Sequence, residues 1–545
     1  MRWLSGGALG MTAACLLAQS YTPGPQFLTF LSSVDDSQQP YALYLPASFD
    51  PGRRYPLVIS LHSEDSNHRL NLMQVLGQGN RIADLARATA NYSRLARNPE
   101  YIIASPLARG TMGYRGIAEK DVYDVLADVE RRFRIDEDRV YLTGISMGGG
   151  GALWLALTNP DLWAAVAPVC PVPIPGTDIL APNASALPIR LFHGDQDPIA
   201  PVASSRQWQR LLLDVGVPAD YLEYPAVRHN AWDYAYRNGS LFDWFAKFRR
   251  NRYPERVRFV TDAYRYNSAY WVRIDGLTPG VRASIDARQT GAGAVSVETK
   301  NLDGLTLSLD HPVSAVTLDG TLLRLKPAAT LSFRKQSGRW GNGRVVQAGK
   351  RPGLEGPIAE AVSGRHIYVY GTLGSPAPDE LDFRRKQAET AASWSTARER
   401  LQLSLPVKAD FQVTPEELDS DDLVLFGTQE TNSLIARFAG RLPLALNAGA
   451  ADYGLLFIAP LGKHYGLISS GLPWWTGFDE AARPVYSYAP PPYAELSTFP
   501  DYVIFKGALS QVVAEGRFDP NWKLPADAAA KITATGIVLV AGAVK

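Results

Sequence analysis

A serine becomes a useful nucleophile only where the backbone presents its hydroxyl and a base can take its proton. Gly144-Ile145-Ser146-Met147-Gly148-Gly149 has the pattern G-x-S-x-G. It follows the buried-strand run Arg139-Val140-Tyr141-Leu142-Thr143 and precedes a segment rich in Ala and Leu, so a strand, a tight turn and a helix are expected. Small neighbours let such a turn close and push Ser146 outward. The Met147 backbone N–H, at the start of the following helix, is placed to stabilise an oxyanion.

The base must be a histidine, and the chain has seven: His62, His68, His193, His229, His311, His366 and His464. His229 stands in a loop after the expected strand Asp220–Tyr224 and before an apolar-faced helix over Leu241–Arg249, where it can return to the serine. An acid is needed to hold its tautomer and stabilise its cation. The turn His193-Gly194-Asp195-Gln196-Asp197-Pro198, after the strand Ile189–Phe192, supplies two. Asp197 lies farther into the loop and is preferred, with Asp195 as the alternative that could instead cap the turn. The order Ser146, Asp197, His229 is that of an α/β-hydrolase. A second oxyanion donor is expected after the early strand Pro56–Ser60, from the backbone N–H of Ser63 or Glu64. His62 reads mainly as a positioning residue of that loop. His62, Glu64, Arg228 and Trp232 are the candidate lining of a substrate pocket.

These residues need a scaffold, and the pattern around them supplies one. Over residues 24–250, short apolar runs such as Val58–Leu61 and Tyr101–Ala104 alternate with helical periodicity such as Val122, Val125, Leu126 and Val129. Strand, helix, strand is the signature of a mostly parallel sheet with helices on both faces. Over residues 254–337 the turn signals Asp275-Gly276, Pro279-Gly280 and Asp319-Gly320 divide short strand-like runs, which predicts an all-β, sandwich-like module. Residues 356–545 read as a smaller second α/β domain, and Gly338–Pro357 as a linker. The expected fold is therefore multidomain, as 545 residues require.

Fifty-five basic residues against fifty-four acidic ones leave a net charge of +1, without long runs of one sign. That argues against a nucleic-acid partner, which needs a concentrated cationic footprint. Residues 1–20 combine an early Arg, a moderately apolar stretch and a small-residue exit, and read as an export signal to the periplasm or beyond. No later apolar run reaches eighteen residues, so no transmembrane segment is expected. With only Cys15 and Cys170 in the chain, a disulfide framework is not expected. There is no metal-binding motif, phosphate loop or dinucleotide fingerprint, so neither a metal nor a cofactor is called for. The turn Gly427–Asn432 reads as a simple helix cap, and Trp271, Trp340, Trp474 and Trp475 as core or interface rather than a sugar platform.

Residues 37–250 resemble bacterial esterases of the feruloyl-esterase, acetyl-xylan-esterase and polyhydroxybutyrate-depolymerase-like group, relatives of the prolyl-oligopeptidase catalytic domain. The resemblance rests on Tyr41–Pro46, Pro56–His62, Asp138–Gly149, the acid turn His193–Pro198 and His229-Asn230-Ala231-Trp232. It implies the same triad, with the acid at Asp197. Ser63 and Arg228 depart from it, standing where glycine is usual. The expected activity is hydrolysis of a small or carbohydrate-linked ester through an acyl-enzyme. The rivals are an exported peptidase of prolyl-oligopeptidase-like type and an envelope binding protein with a vestigial triad. Oligomeric state is not legible.

Overall fold

The computed structural model describes residues 21–64, 66–77, 99–346, 349–394, 403–477 and 495–541. The export signal expected at residues 1–20 lies outside them, as does the end of the stretch Glu380–Leu401.

The N-terminal unit is built on β1 (Gly24–Leu31), β2 (Gln38–Leu45), β3 (Tyr55–Leu61), β4 (Ile102–Pro106), β5 (Ile135–Ile145), β6 (Ala165–Val169), β7 (Ile189–Gly194) and β8 (Ala219–Tyr224). They form one sheet in the order β1-β2-β4-β3-β5-β6-β7-β8. The β1–β2 and β2–β4 pairs are antiparallel, and the pairs from β4 through β8 are parallel. Every residue of β3, β4 and β6 is buried, as expected for parallel strands covered on both faces. The helices α1 (His68–Val75), α2 (Ile117–Arg132), α3 (Met147–Thr158) and α4 (Val202–Asp214) supply much of that cover. In α2 Val122, Val125, Leu126 and Val129, at helical spacing, are buried, together with the acids Glu119, Asp121 and Asp128. α3 is buried along all twelve residues, because it is covered by the sheet on one side and by the 3-10 segment Thr177–Ala186 on another.

The central unit is all-β, as the turn signals predict. Its eight strands belong to a single sheet that curls into a near-barrel around Trp271, Ile285, Leu305, Val316 and Phe333. The 17-residue strand Leu302–Leu318 makes this possible. It pairs with Val272–Leu277 and Ala294–Lys300 and, across register shifts between Ser308 and Ala315, with Thr321–Gln336. Part of the expected linker, Arg339–Asn342, is in fact the last strand of this sheet.

The third unit is a seven-stranded mixed sheet whose strands His366–Tyr370, Val407–Ala409, Asp422–Phe426 and His464–Gly471 run parallel. Asn432 caps the helix Ser433–Phe438 by accepting from Leu434 and Ile435 N–H, so the Gly427–Asn432 turn is the cap it resembles. Trp271, Trp340 and Trp474 are buried. The hydrophobic core of the N-terminal unit continues without a break into this third sheet, where Leu354, Ile358, Ile367 and Leu455 belong to the same cluster as Leu153 and Leu191. Among the described residues no helix is long and apolar enough to cross a membrane.

Candidate active site

β5 ends at Ile145 and α3 begins at Met147, which leaves Ser146 alone in the turn at φ 56°, ψ −112°. A non-glycine residue there is strained and must be held by its surroundings. Ser146 N–H donates to Val169 O (2.9 Å), and its carbonyl accepts from Val172 N–H (3.1 Å) and Gly150 N–H (3.0 Å). The flanking glycines are required by close approach. A Cβ on Gly144 would lie 2.1 Å from Gly148 O, and one on Gly148 would lie 2.3 Å from Leu61 O. That second contact presses the loop after β3 against the start of α3.

Ser146 Oγ lies 3.0 Å from His229 Nε2, and His229 Nδ1–H donates to Asp197 Oδ2 at 2.7 Å. Three loops at the carboxyl ends of β5, β7 and β8 thus meet, where ligands bind in open α/β sheets. Gly194 brings the last two together, since a Cβ there would lie 2.3 Å from Val227 O. Asp195 and Gln196 N–H donate to Tyr224 O and Val227 O, so Asp195 braces the turn while Asp197 faces the histidine. Cys170 Sγ, at the end of β6, is 3.4 Å from His229 O and tethers the base loop from below. Ser146 is 7% exposed and the His229 side chain 21%, so both are reachable from solvent.

The Asp197 side chain has no exposed surface. Burial alone would raise its pKa. Hydrogen bonds from His193 and His229, and from the Ile199 and Ala200 N–H groups at 2.8 and 2.9 Å, outweigh burial and hold the carboxyl well below the usual range. His193 is buried beside it, with Nε2 at 3.2 Å from Asp197 Oδ2 and 2.9 Å from Ala200 O, and Nδ1 accepting from Ser205 Oγ–H at 2.7 Å. The sulfur of Cys170, the Asp197 carboxylate and the His229 ring lie within 4.8 Å of one another. The last two already bond to each other in the triad.

Around this centre the candidate pocket residues separate. His62 has no exposed surface, and its ring nitrogens lie 2.7 Å from Ser63 O and 2.9 Å from Leu107 O. It clamps its own loop to the one after β4 and is not a pocket residue, which corrects that part of the expectation. Trp232 is 7% exposed and packs edge-to-face on the His229 ring at 5.6 Å, so it steadies the base from within the core. Arg228 is exposed and Glu64 half-buried. Ser63 lies in the loop that Gly148 contacts. Tyr114 fastens that loop further: its hydroxyl donates to His62 O at 3.0 Å, and its ring lies where a Cβ on Gly151 would be.

Sequence reasoning assigned no role here to His193, Cys170 or Tyr114. His193 carried a usable signal, being a histidine at a strand end four residues before the acid. The others carried none, because their contacts join segments far apart in the chain.

The Esterase family model, described as "Putative esterase", matches residues 32–232. Cutinase 1 of Thermobifida cellulosilytica is 38% identical over 102 residues, 18% of this chain and 36% of that protein. A cutinase of Thermobifida fusca is 38% identical over 102 residues, covering 18% and 32%. The chain spans about a third of the length of these relatives. The N-terminal unit has the sheet of an α/β-hydrolase and is similar to esterases over residues 32–232. Among solved structures, a thermostable esterase shares 25% identity and a TM-score of 0.34 over 42% of this chain and 63% of its own. A ferulic acid esterase of Anaeromyces mucronatus shares 18% and 0.32 over 41% and 93%.

Proposed function

We propose that this protein is a serine hydrolase that cleaves carboxylic esters through an acyl-enzyme. The observation that carries the reading is the continuous chain of hydrogen bonds from Ser146 Oγ through His229 to Asp197, at 3.0 and 2.7 Å. His229 takes the Ser146 proton as Oγ attacks the ester carbonyl, and Asp197 stabilises the imidazolium that forms. The N–H groups of Met147 and Ser63 receive the oxyanion. This role is supported by the close contact of Gly148 with Leu61 O and by the Tyr114 tie to His62 O, which hold the two segments side by side. His229 then protonates the leaving alcohol, and water repeats the sequence on the acyl-enzyme.

The test is turnover of acetyl, feruloyl and longer acyl esters and of short peptides by the wild-type protein and Ser146→Ala. Ester hydrolysis that exceeds peptide hydrolysis and falls about 10⁶-fold in the variant is expected. Ser146-dependent turnover dominated by peptides would make the scissile bond an amide. We place the protein outside the cytoplasm on the strength of residues 1–20. N-terminal sequencing of protein recovered from the expressing cell's periplasm or medium should begin near residue 20, and a start at Met1 would refute export.

A further inference from the structure

Apart from the triad, a partly open cavity lies where all three units meet, with Arg115 at its exposed mouth. It has a volume of about 220 Å³. Trp154 of α3 and Ile179 and Leu180 of the 3-10 segment form its wall on the N-terminal unit, the stretch Val260–Tyr266 closes it from the central unit, and Pro357 and Ala359 close it from the third. The lining mixes apolar side chains with uncharged polar ones such as Thr158, Asn183 and Ser363 and with five charged groups.

Its charges are unevenly matched. Arg115, Arg265 and Arg517 face Asp262 and Glu360, which leaves one positive charge. Arg265 is taken by Glu360 at 3.2 Å. Arg517 comes no closer than 3.9 Å to a carboxylate, that of Asp501, whose other oxygen is held by Lys350 and Phe518 N–H. Among the described residues Arg115 has no carboxylate within ion-pair distance. Its guanidinium lies instead over the Trp154 ring, 4.5 Å from the centroid. Stacking occupies the face of a guanidinium and leaves its N–H edge free for a planar anion.

We propose that this three-unit cavity is a binding site, separate from the triad, for a small monocarboxylate with an apolar or aromatic body. The carboxylate is received by Arg115 and Arg517, and the body rests among Ile179, Leu180 and Ala359. The site is wired to the catalytic centre by two short segments. Tyr114, which holds the His62 carbonyl, is followed at once by Arg115. Val172, which bonds Ser146 O, leads within four residues to Gly176 on the cavity wall. A ligand here therefore contacts the chain next to both supports of the site.

The test is calorimetric titration of the full-length protein with benzoate, and with benzamide as its neutral isostere. The proteins compared are wild type, Arg115→Gln, Arg517→Gln, the cavity-filling Ala359→Phe, and wild type inactivated at Ser146 by a fluorophosphonate. The expected result is saturable binding of one benzoate, with benzamide about tenfold weaker or worse. Each arginine variant should lose about tenfold in affinity, the filled cavity should not bind, and binding to the inactivated protein should be unchanged. Absence of saturable binding, or affinity that neither arginine substitution alters, would overturn the proposal. Loss of binding on inactivation would also overturn it, by placing the ligand at Ser146. Binding to the untreated proteins is read without turnover, so those outcomes are independent of the esterase reading.

Discussion

Four donors converge on Asp197, two from histidines and two from backbone amides, and this has a cost and a use at the scale of single residues. A carboxylate so fully satisfied stays ionised wherever the enzyme is folded, so it can stabilise the imidazolium but does not accept its proton. Asp197→Asn keeps the shape while presenting the wrong partner to Nδ1–H. It is expected to lower kcat by about 10³ to 10⁴ with a small change in KM. His193 holds the same carboxylate oxygen, Oδ2, that His229 meets. In His193→Gln we expect kcat to fall about tenfold with the circular dichroism spectrum unchanged, and an unaltered kcat would show that His193 merely packs. Ser146, Asp197 and His229 were legible because turn chemistry and strand ends mark them along the chain. The inward position of His62 was not, since the carbonyl of Leu107 that captures it is 45 residues away.

The elements that carry these residues owe their arrangement to backbone contact as much as to side-chain packing. Gly148 allows the loop after β3 to touch the nucleophile turn, so Gly148→Ala should strain both. A loss of about 1–3 kcal/mol in denaturant titration, together with a fall in kcat, is expected, and wild-type stability would mean that the loop moves aside freely. The inner strands and α2 could be read from apolar runs and helical spacing because burial on two faces and on one face imposes those periods. β1 and the 3-10 segment Thr177–Ala186 could not. The first is an edge strand with weak apolar demand, and the second contains Pro182 and has no regular period. The curl of the central sheet was likewise hidden, because it depends on the register shifts inside one long strand.

At the scale of the whole molecule, the N-terminal and third units share a core, and buried acids sit within the third unit and between it and the central one. Burial pushes the Asp422 carboxyl up to about 7, against a hydrogen bond from Tyr465 N–H and with the charges of Glu360 and Asp421 adding to the rise. Burial likewise raises Glu355 to about 8, although its carboxylate accepts from Tyr264 and Arg265 N–H. Both folded-state values lie above the unfolded ones of 3.8 and 4.5. The fold therefore binds protons more tightly than the unfolded chain. The stability that these groups contribute is complete below about pH 4 and is lost as the pH rises through 7 and 8. Melting temperature should fall between pH 5 and pH 8, and Asp422→Asn should flatten that slope; an identical slope in the variant would remove Asp422 from the account. The unbroken core was not legible in a chain whose composition shifts suggest separate domains, because contact between distant apolar faces leaves no local pattern.

The central claim is that Ser146 is an activated nucleophile, and it is tested most directly by labelling. Folded full-length protein is treated with a fluorophosphonate, its intact mass is measured, and the adduct is mapped. One adduct per chain, on Ser146, lost in Ser146→Ala and strongly slowed in His229→Ala, is the result the geometry predicts. An unlabelled protein, or an adduct on another residue, would contradict it.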